Sequence, residues 1–286
     1  MSFANFSPLI VSQKMMMDLK EEHVFAKWCD RNPETELKNA GDTVKFRSLG
    51  EPALIDLDFE DRNDEFPSLH RPEDSAFIMQ VRRIVRFNEA IGKIDDLISD
   101  KKLMPVIRKK IVRGLAGKAD RYIANFATRA DMPRLYSTPK QVTSSNVLDV
   151  IDEAGKMLFD NGVPESEPIL LTCSSRFYLL AKNAYRDLDT DNSDILKLGK
   201  VGKYNDVSLQ RSRNVAVTDN GTTDRMLCRT KGFMGFAELV KNLVPYIPDK
   251  YVDDAIKGEY LYDAKILRPK EGFSIDCTYA QSQAQS

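Results

Sequence analysis

The chain has 286 residues, enough for one large domain or two modest ones. Hydrophobic residues make up 42%, which supports a sizeable core, and the formal net charge of -1 excludes a globally basic nucleic-acid binder. No apolar run approaches the roughly 18 residues of a membrane span, and residues 1–20 lack the basic region and apolar stretch of a secretory signal.

Pro8 to Trp28 reads as a helix, with Leu9, Ile10, Met16, Leu19, His23, Val24 and Trp28 at roughly helical spacing. A polar connector follows to Ala40. Period-two patterning then begins: Val44 and Phe46 alternate with Thr43, Lys45 and Arg47, and Ile55, Leu57 and Phe59 alternate with Asp56, Asp58 and Glu60. Residues 61–75 are charged and hold two prolines, as a loop does, and residues 76–87 alternate again. Together these segments predict a long β-excursion with a polar tip and little core of its own.

Residues 88–99 read as short helical or mixed structure, and residues 101–128 as the longest helix, with a stripe from Val106 and Ile107 to Phe126. Gly114 and Gly117 inside it suggest a bend or a close backbone approach. A second helix is expected over 146–160, with Ser144 or Ser145 as N-cap and Asn161-Gly162 as the stop. Residues 169–173 read as a buried strand, followed by a helix capped by Ser174 or Ser175. Strands are expected around 207–209, 215–217, 226–229, 260–267 and 273–279, a turn at Asp219-Asn220-Gly221, a helix over 236–244 and a disordered tail from 279. The sum is an α+β chain without the regular alternation of a doubly wound nucleotide-binding fold.

Chemistry-bearing motifs are scarce. The four cysteines, Cys29, Cys173, Cys228 and Cys277, fall at no zinc-ligand or redox spacing and read as reduced, mostly buried thiols. Of the two histidines, His23 lies on the apolar side of the first helix as a packing residue, and His70 sits in the acidic loop. Cys173-Ser174-Ser175 stands at a strand-to-helix junction but lacks the glycines of a nucleophile elbow, and capping accounts for the serines. The run from Gly199 to Lys203 is too short for a phosphate loop and has Tyr204 where Ser or Thr would hold magnesium. Asp187, Asp189, Asp191 and Asp194 lack the glycine and closing glutamate of a calcium loop. No catalytic residue, cofactor or metal is expected.

Charge is unevenly placed. Residues 51–74 carry nine acids and two arginines, net -7, and residues 101–140 carry eleven bases and two acids, net +9. Two solvated faces would explain this; so would complementary blocks meeting across a subunit boundary, or a basic helix facing a polyanion.

The order of parts carries a resemblance. A helical arm leads into Lys38-Asn39-Ala40-Gly41-Asp42-Thr43-Val44-Lys45-Phe46; a β-excursion, a long helix and a mixed region follow; and Gly258-Glu259-Tyr260-Leu261-Tyr262 leads to Leu267-Arg268-Pro269 near the end. Residues 199–207 with Ser212-Arg213-Asn214-Val215 add a further match. Over nearly the whole chain this resembles the major capsid proteins of tailed bacteriophages, which share their fold with encapsulins and the floor of herpesvirus capsids.

The resemblance implies an N-terminal arm over 1–41 and an extended loop over 42–87. A peripheral domain would take 88–139 and 246–272, with its spine helix at 101–128. An axial domain would take 140–245 and 273–286. It implies no enzyme but a homo-oligomer of pentamers and hexamers, a shell enclosing packaged DNA contacted non-specifically. The shell would be assembled in the host cytoplasm and found in the virion, with a portal, a decoration protein and no membrane. Absence of a long coiled segment before the arm implies a separate scaffolding protein, or removal of that segment. Absence of lysine between Lys45 and Lys93 argues against covalent cross-linking from the loop. Subunit contacts are expected through Leu9, Met16 and Leu19 of the arm, and through Asp56, Asp58 and Glu60 against Lys109, Lys110 and Arg113. The alternatives are an encapsulin-type compartment shell, a cytosolic hydrolase using Cys173 or Ser174, and a nucleic-acid module centred on 101–140.

Overall fold

The computed structural model describes residues 8–32, 36–49, 74–92, 103–186, 203–249 and 254–279. The architecture is mixed α+β, as the sequence patterning implies.

Helix α1 (Pro8–Glu22) opens on a proline, whose fixed φ suits a first turn. It lies along α2 (Leu103–Ala124), held by Asp18–Arg108 at 2.7 Å and Glu22–Arg113 at 3.1 Å. The spine continues from α2 into a 3-10 turn, Asn125–Thr128, so the expected long helix is present with a tightened last turn. A Cβ at Gly114 would meet nothing within 4 Å, so that glycine marks no close approach among the described residues.

Strands β1 (Thr43–Leu49) and β2 (Asp74–Gln80) form an antiparallel hairpin. At Val81-Arg82 the chain changes sheets, and β3 (Arg83–Gly92) pairs with β11 (Asp254–Ile266), which pairs with β10 (Met234–Tyr246). This three-stranded sheet is covered on both faces. Phe236, Val240, Tyr260 and Tyr262 join the main core under the helices. Ala237 and Leu261 pack instead with Val44, Phe46, Met79 and Val81 at the base of the hairpin. Gly235 makes the second contact possible, since a Cβ there would lie 2.5 Å from the Phe46 ring.

The second sheet takes the order β4 (Lys140–Val142), β12 (Gly272–Tyr279), β9 (Thr223–Arg229), β5 (Ile169–Cys173), β7 (Val207–Arg211), β6 (Lys203–Tyr204), with β8 (Ala216–Thr218) on β9. Helices α3 (Val147–Asp160) and α4 (Ser175–Arg186) bury one face each, α3 through Val150, Ile151, Ala154 and Leu158, α4 through Phe177, Ala181 and Ala184. All five residues of β5 are buried, which explains its unbroken apolar run. The chain leaves this sheet after β9, makes the β10–β11 hairpin of the other sheet, and returns as β12 beside β9.

Four expectations need correcting. Residues 236–244 are strand, not helix: both faces of β10 are covered, so its apolar residues do not alternate. Residues 88–92 complete β3 rather than a helix. Residues 76–87 are not one strand but two, split where Arg82 N–H donates to Asp263 Oδ2 at 3.0 Å. The N-cap residue of α3 is Asn146, beyond either serine. A boundary between 245 and 246 also assigns nearly all of β10 to the seven-stranded sheet, although its partner is β11. The expected turns at 161–162 and 219–221 are present, with Gly162, Asp219, Asn220 and Gly221 at positive φ. The tail beyond 279 lies outside the described residues.

Candidate functional site

The segment linking α1 to the body is held by a buried ionic cluster that joins four elements. Asp120, on α2, accepts hydrogen bonds from the backbone N–H groups of Val24 (2.9 Å), Phe25 (3.0 Å) and Ala26 (3.1 Å). Three donors converging on one carboxylate form a small anion nest. His23 Nδ1 lies 3.5 Å from Asp120 Oδ1, and His23 Nε2 donates to Glu238 Oε2 at 2.8 Å. Glu238, on β10, also accepts from Arg31 and from the Tyr260 hydroxyl. From β9, the fully buried Arg229 donates to Phe25 O at 2.7 Å and approaches Cys29 Sγ at 3.4 Å. Next in the chain, Asp30 bridges to Gly235, so the linker adds a short parallel step to the edge of β10.

Electrostatics favour the charged forms. Burial alone would pull the His23 imidazole down, but the carboxylates of Asp120 and Glu238 override it and raise the pKa to about 9. Burial would raise the Glu238 carboxyl, yet His23, Arg31 and Tyr260 hold it below the ordinary range. His23 is thus a packing residue as expected, its ring edge-on to Phe236 at 5.8 Å, but also an ionic bridge that the spacing did not signal. Its partners stand 97 and 215 residues away in sequence, beyond any local pattern.

The interface residues expected from sequence fall in three groups. Leu19 is fully buried and Met16 half-buried against the main core, with Val240 N–H reaching Met16 Sδ at 3.3 Å. Leu19 therefore faces its own chain, which corrects its place in a subunit contact, and the arm does not lack apolar burial. Leu9 lies in α1, with a side chain outside the described ones. Lys109 and Lys110 are exposed on α2 and make no ion pair among the described residues, whereas Arg113 already pairs with Glu22. Asp56, Asp58, Glu60 and His70 lie outside the described residues, as do Asp187 to Asp194 and Gly199 to Gly202.

A basic concavity was not foreseen. Arg83, Lys118, Arg121 and Arg129 surround a cavity of about 660 Å³ whose lining holds no acid. Arg83 stacks over Tyr122 at 4.6 Å and Arg129 over Phe126 at 3.5 Å, which restrains both guanidinium groups. Arg83, on β3, is 35 residues from Lys118, and only the packing of that strand beside α2 brings them together.

At the strand-to-helix junction, Ser174 Oγ accepts the Phe177 N–H at 3.3 Å and so caps α4. Cys173 is buried, and burial pushes its thiol up to about 12, the opposite of an activated nucleophile. All four cysteines are buried and unpaired. Among the described residues, no helix is long and apolar enough to cross a membrane.

No protein-family model matches the sequence, and no curated protein matches it. Solved structures do. A chain of Mycobacterium phage Che8 is 16% identical with a TM-score of 0.64, over 88% of this chain and 90% of that one. A chain from the capsid of cyanophage P-SCSP1u is 15% identical with a TM-score of 0.55, over 86% and 85%. A chain of a virus-like particle from Pyrococcus furiosus is 9% identical with a TM-score of 0.55, over 93% and 98%. With a helical arm, a β-hairpin seated on a three-stranded sheet, a spine helix on that sheet and a seven-stranded unit, this chain has the fold of tailed-bacteriophage capsid proteins.

Proposed function

We propose that this chain is a major capsid protein that self-assembles into the icosahedral shell enclosing phage DNA. The observation that carries the reading is that most of the chain, not one module of it, superposes on chains of phage capsids: 86% of this chain and 85% of the cyanophage P-SCSP1u chain are matched. The chain acts as a structural subunit and not as an enzyme. The hydrolase reading fails on the buried Cys173 thiol and the capping role of Ser174. A compartment shell of the encapsulin type is the second reading, favoured by the match to the Pyrococcus furiosus particle.

In this reading residues 1–41 serve as the arm and 42–82 as the extended loop. The three-stranded sheet with α2 is the peripheral domain, and the seven-stranded unit the axial domain. Copies form pentamers and hexamers, helped by a separate scaffolding protein and joined by a portal and a decoration protein. The arm is anchored in its own subunit by the Asp120 nest, so it serves as a fixed bracket rather than a free strap. The acidic block at 51–74 of one copy meets basic groups of a neighbour: Lys109 and Lys110, together with the concavity around Arg121. Each exposed pair contributes only about 0–1 kcal/mol, and register is the gain.

Electron microscopy of the purified protein tests the function. Closed particles of uniform size are expected, and persistent monomers at high concentration would refute it. DNA inside particles from infected cells identifies a capsid; a cargo enzyme identifies a compartment. Reversing Asp56, Asp58 and Glu60 to lysine should slow assembly and flatten its salt dependence, because salt shortens the Debye length from about 10 Å at 0.1 M to about 3 Å at 1 M. Unchanged assembly would sink the charge pairing alone.

A further inference from the structure

The seven-stranded unit carries a small cavity and, on a different helix, an exposed side chain suited to it. The cavity, about 270 Å³, lies between α3, the start of β5 and the turn before β7. Its walls are apolar: Ile151, Val163, Ile169 and Val207, with the Phe159 ring 59% exposed at the mouth. Among the described residues its rim is mainly acidic, with Asp152, Glu165, Glu167 and Asp206 against Lys156 in the lining and Lys203, whose Nζ lies 3.9 Å from Asp206 Oδ1. Asp152 is partly engaged by Asn205 Nδ2 at 2.7 Å, but Glu165 and Glu167 are exposed and make no ion pair among the described residues.

Gly155 forms part of the floor. A glycine inside a helix costs about 1 kcal/mol against alanine. Among the described residues nothing demands it here, because a Cβ would make only an ordinary contact, 3.5 Å from Val207 Cγ2. The residue lowers the stability of α3 and deepens the cavity.

On α4, Leu179 is 57% exposed, turned away from Phe177, Ala181 and Ala184, which are buried. Arg176 and Lys182 flank it at three residues on either side, hence on the same helix face, and α4 contains no acid. An apolar knob between two cations thus complements an apolar hole within an acidic rim. Other exposed apolar side chains also stand among cations: Met17 between Lys14 and Lys20, Ile78 opposite Lys45, Val106 near Lys109, Ile84 near Arg83 and Val244 opposite Lys257. All five lie on α1, the β1–β2 hairpin, the three-stranded sheet or α2. Leu179 shares the unit that bears the cavity, so equivalent units of adjacent copies meet without any extended segment having to reach.

We propose that Leu179 of one copy seats in the Ile151–Gly155–Phe159 cavity of the next, with Arg176 and Lys182 facing Glu165 and Glu167. Knob and hole occupy different surfaces, so the contact is heterologous: repeated by rotation it closes a ring, as the capsomers of a shell require. The inference rests on the self-assembly reading and names one of its contacts.

The test is the assembly threshold of the full chain, followed by light scattering and electron microscopy, with thermal unfolding as a fold control. Leu179→Asp should raise the threshold about tenfold or more, since it replaces a buried leucine with a charge facing acids. Gly155→Leu should raise it too, while leaving the melting temperature equal or higher, a separation that a folding defect cannot produce. Glu165→Lys with Glu167→Lys should impair assembly, and adding Arg176→Glu with Lys182→Glu should restore it. A folded Leu179→Asp protein that assembles at the wild-type threshold overturns the contact. So does failure of the charge exchange to rescue, or a defect in Val106→Asp with none in Leu179→Asp. A wild-type chain that never assembles overturns the shell reading, and this contact with it.

Discussion

His23 Nε2 donates a 2.8 Å hydrogen bond to Glu238 Oε2, and both side chains are wholly removed from solvent. The pair ties the segment after α1 to the centre of β10, and its strength depends on pH in a defined sense. The His23 pKa rises from 6.5 to about 9 on folding, so its contribution is complete below pH 6.5 and is lost as pH rises through 9. At 1.36 kcal/mol per unit the shift is worth about 3 kcal/mol. Glu238, held below its ordinary 4.5, contributes above that pH and loses its contribution on acidification. A stability plateau is expected from about pH 4.5 to 6.5. Melting curves across pH 6.5 to 9 check this: the wild type should lose stability over the interval, and His23→Gln should be less stable and nearly flat. An equal slope in both would show that other groups govern the alkaline limit.

Asp120→Ala removes the acceptor of three backbone donors, two of them on buried residues. Hydrogen bonds to charged groups are worth about 1.5–3 kcal/mol each, though not additively. We expect a loss of about 3 kcal/mol or more in chemical denaturation, with faster amide exchange at residues 24–26. Asp120→Asn, which keeps an acceptor oxygen, should recover part of it.

Gly235→Ala places a methyl group where the Phe46 ring now sits, 2.5 Å from an ideal Cβ. Overpacking of this kind costs about 1–3 kcal/mol. The damage should fall on the seating of the β1–β2 hairpin rather than on the seven-stranded sheet. A second change, Phe46→Leu, should restore part of the melting temperature. Additive losses in the double variant would place the strain elsewhere.

Burial pushes the thiols of Cys173, Cys228 and Cys277 up to about 12, and Cys29 is raised as well. The thiolate is the reactive form, so native protein at neutral pH should react with a thiol reagent far more slowly than unfolded protein, which should titrate four groups. One fast-reacting cysteine in the native state would reveal local opening around it.

The sequence alone settled what depends on near neighbours. Helix α2 follows from a stripe at 3.6 spacing, and the turns at 161–162 and 219–221 from Asn and Gly, since these features rest on local sterics and one-sided burial; β5, though covered on both faces, follows from a short apolar run bounded by turn residues. Order along the chain also sufficed for the resemblance to phage capsid proteins. Tertiary structure decided everything with two covered faces or distant partners. β10 has the spacing of a helix because hairpin and helices bury it from both sides, so its apolar residues Phe236, Leu239, Val240 and Leu243 fall at helical intervals while Glu238 enters the core. The Asp120 nest and the His23–Glu238 bridge bring together groups about a hundred to over two hundred residues apart, and no pattern encodes their approach. The same holds for the surface: charge blocks are visible in the sequence. Folding alone decides that Arg113 is spent on Glu22, that Leu19 faces its own core, and that Leu179 is left outside.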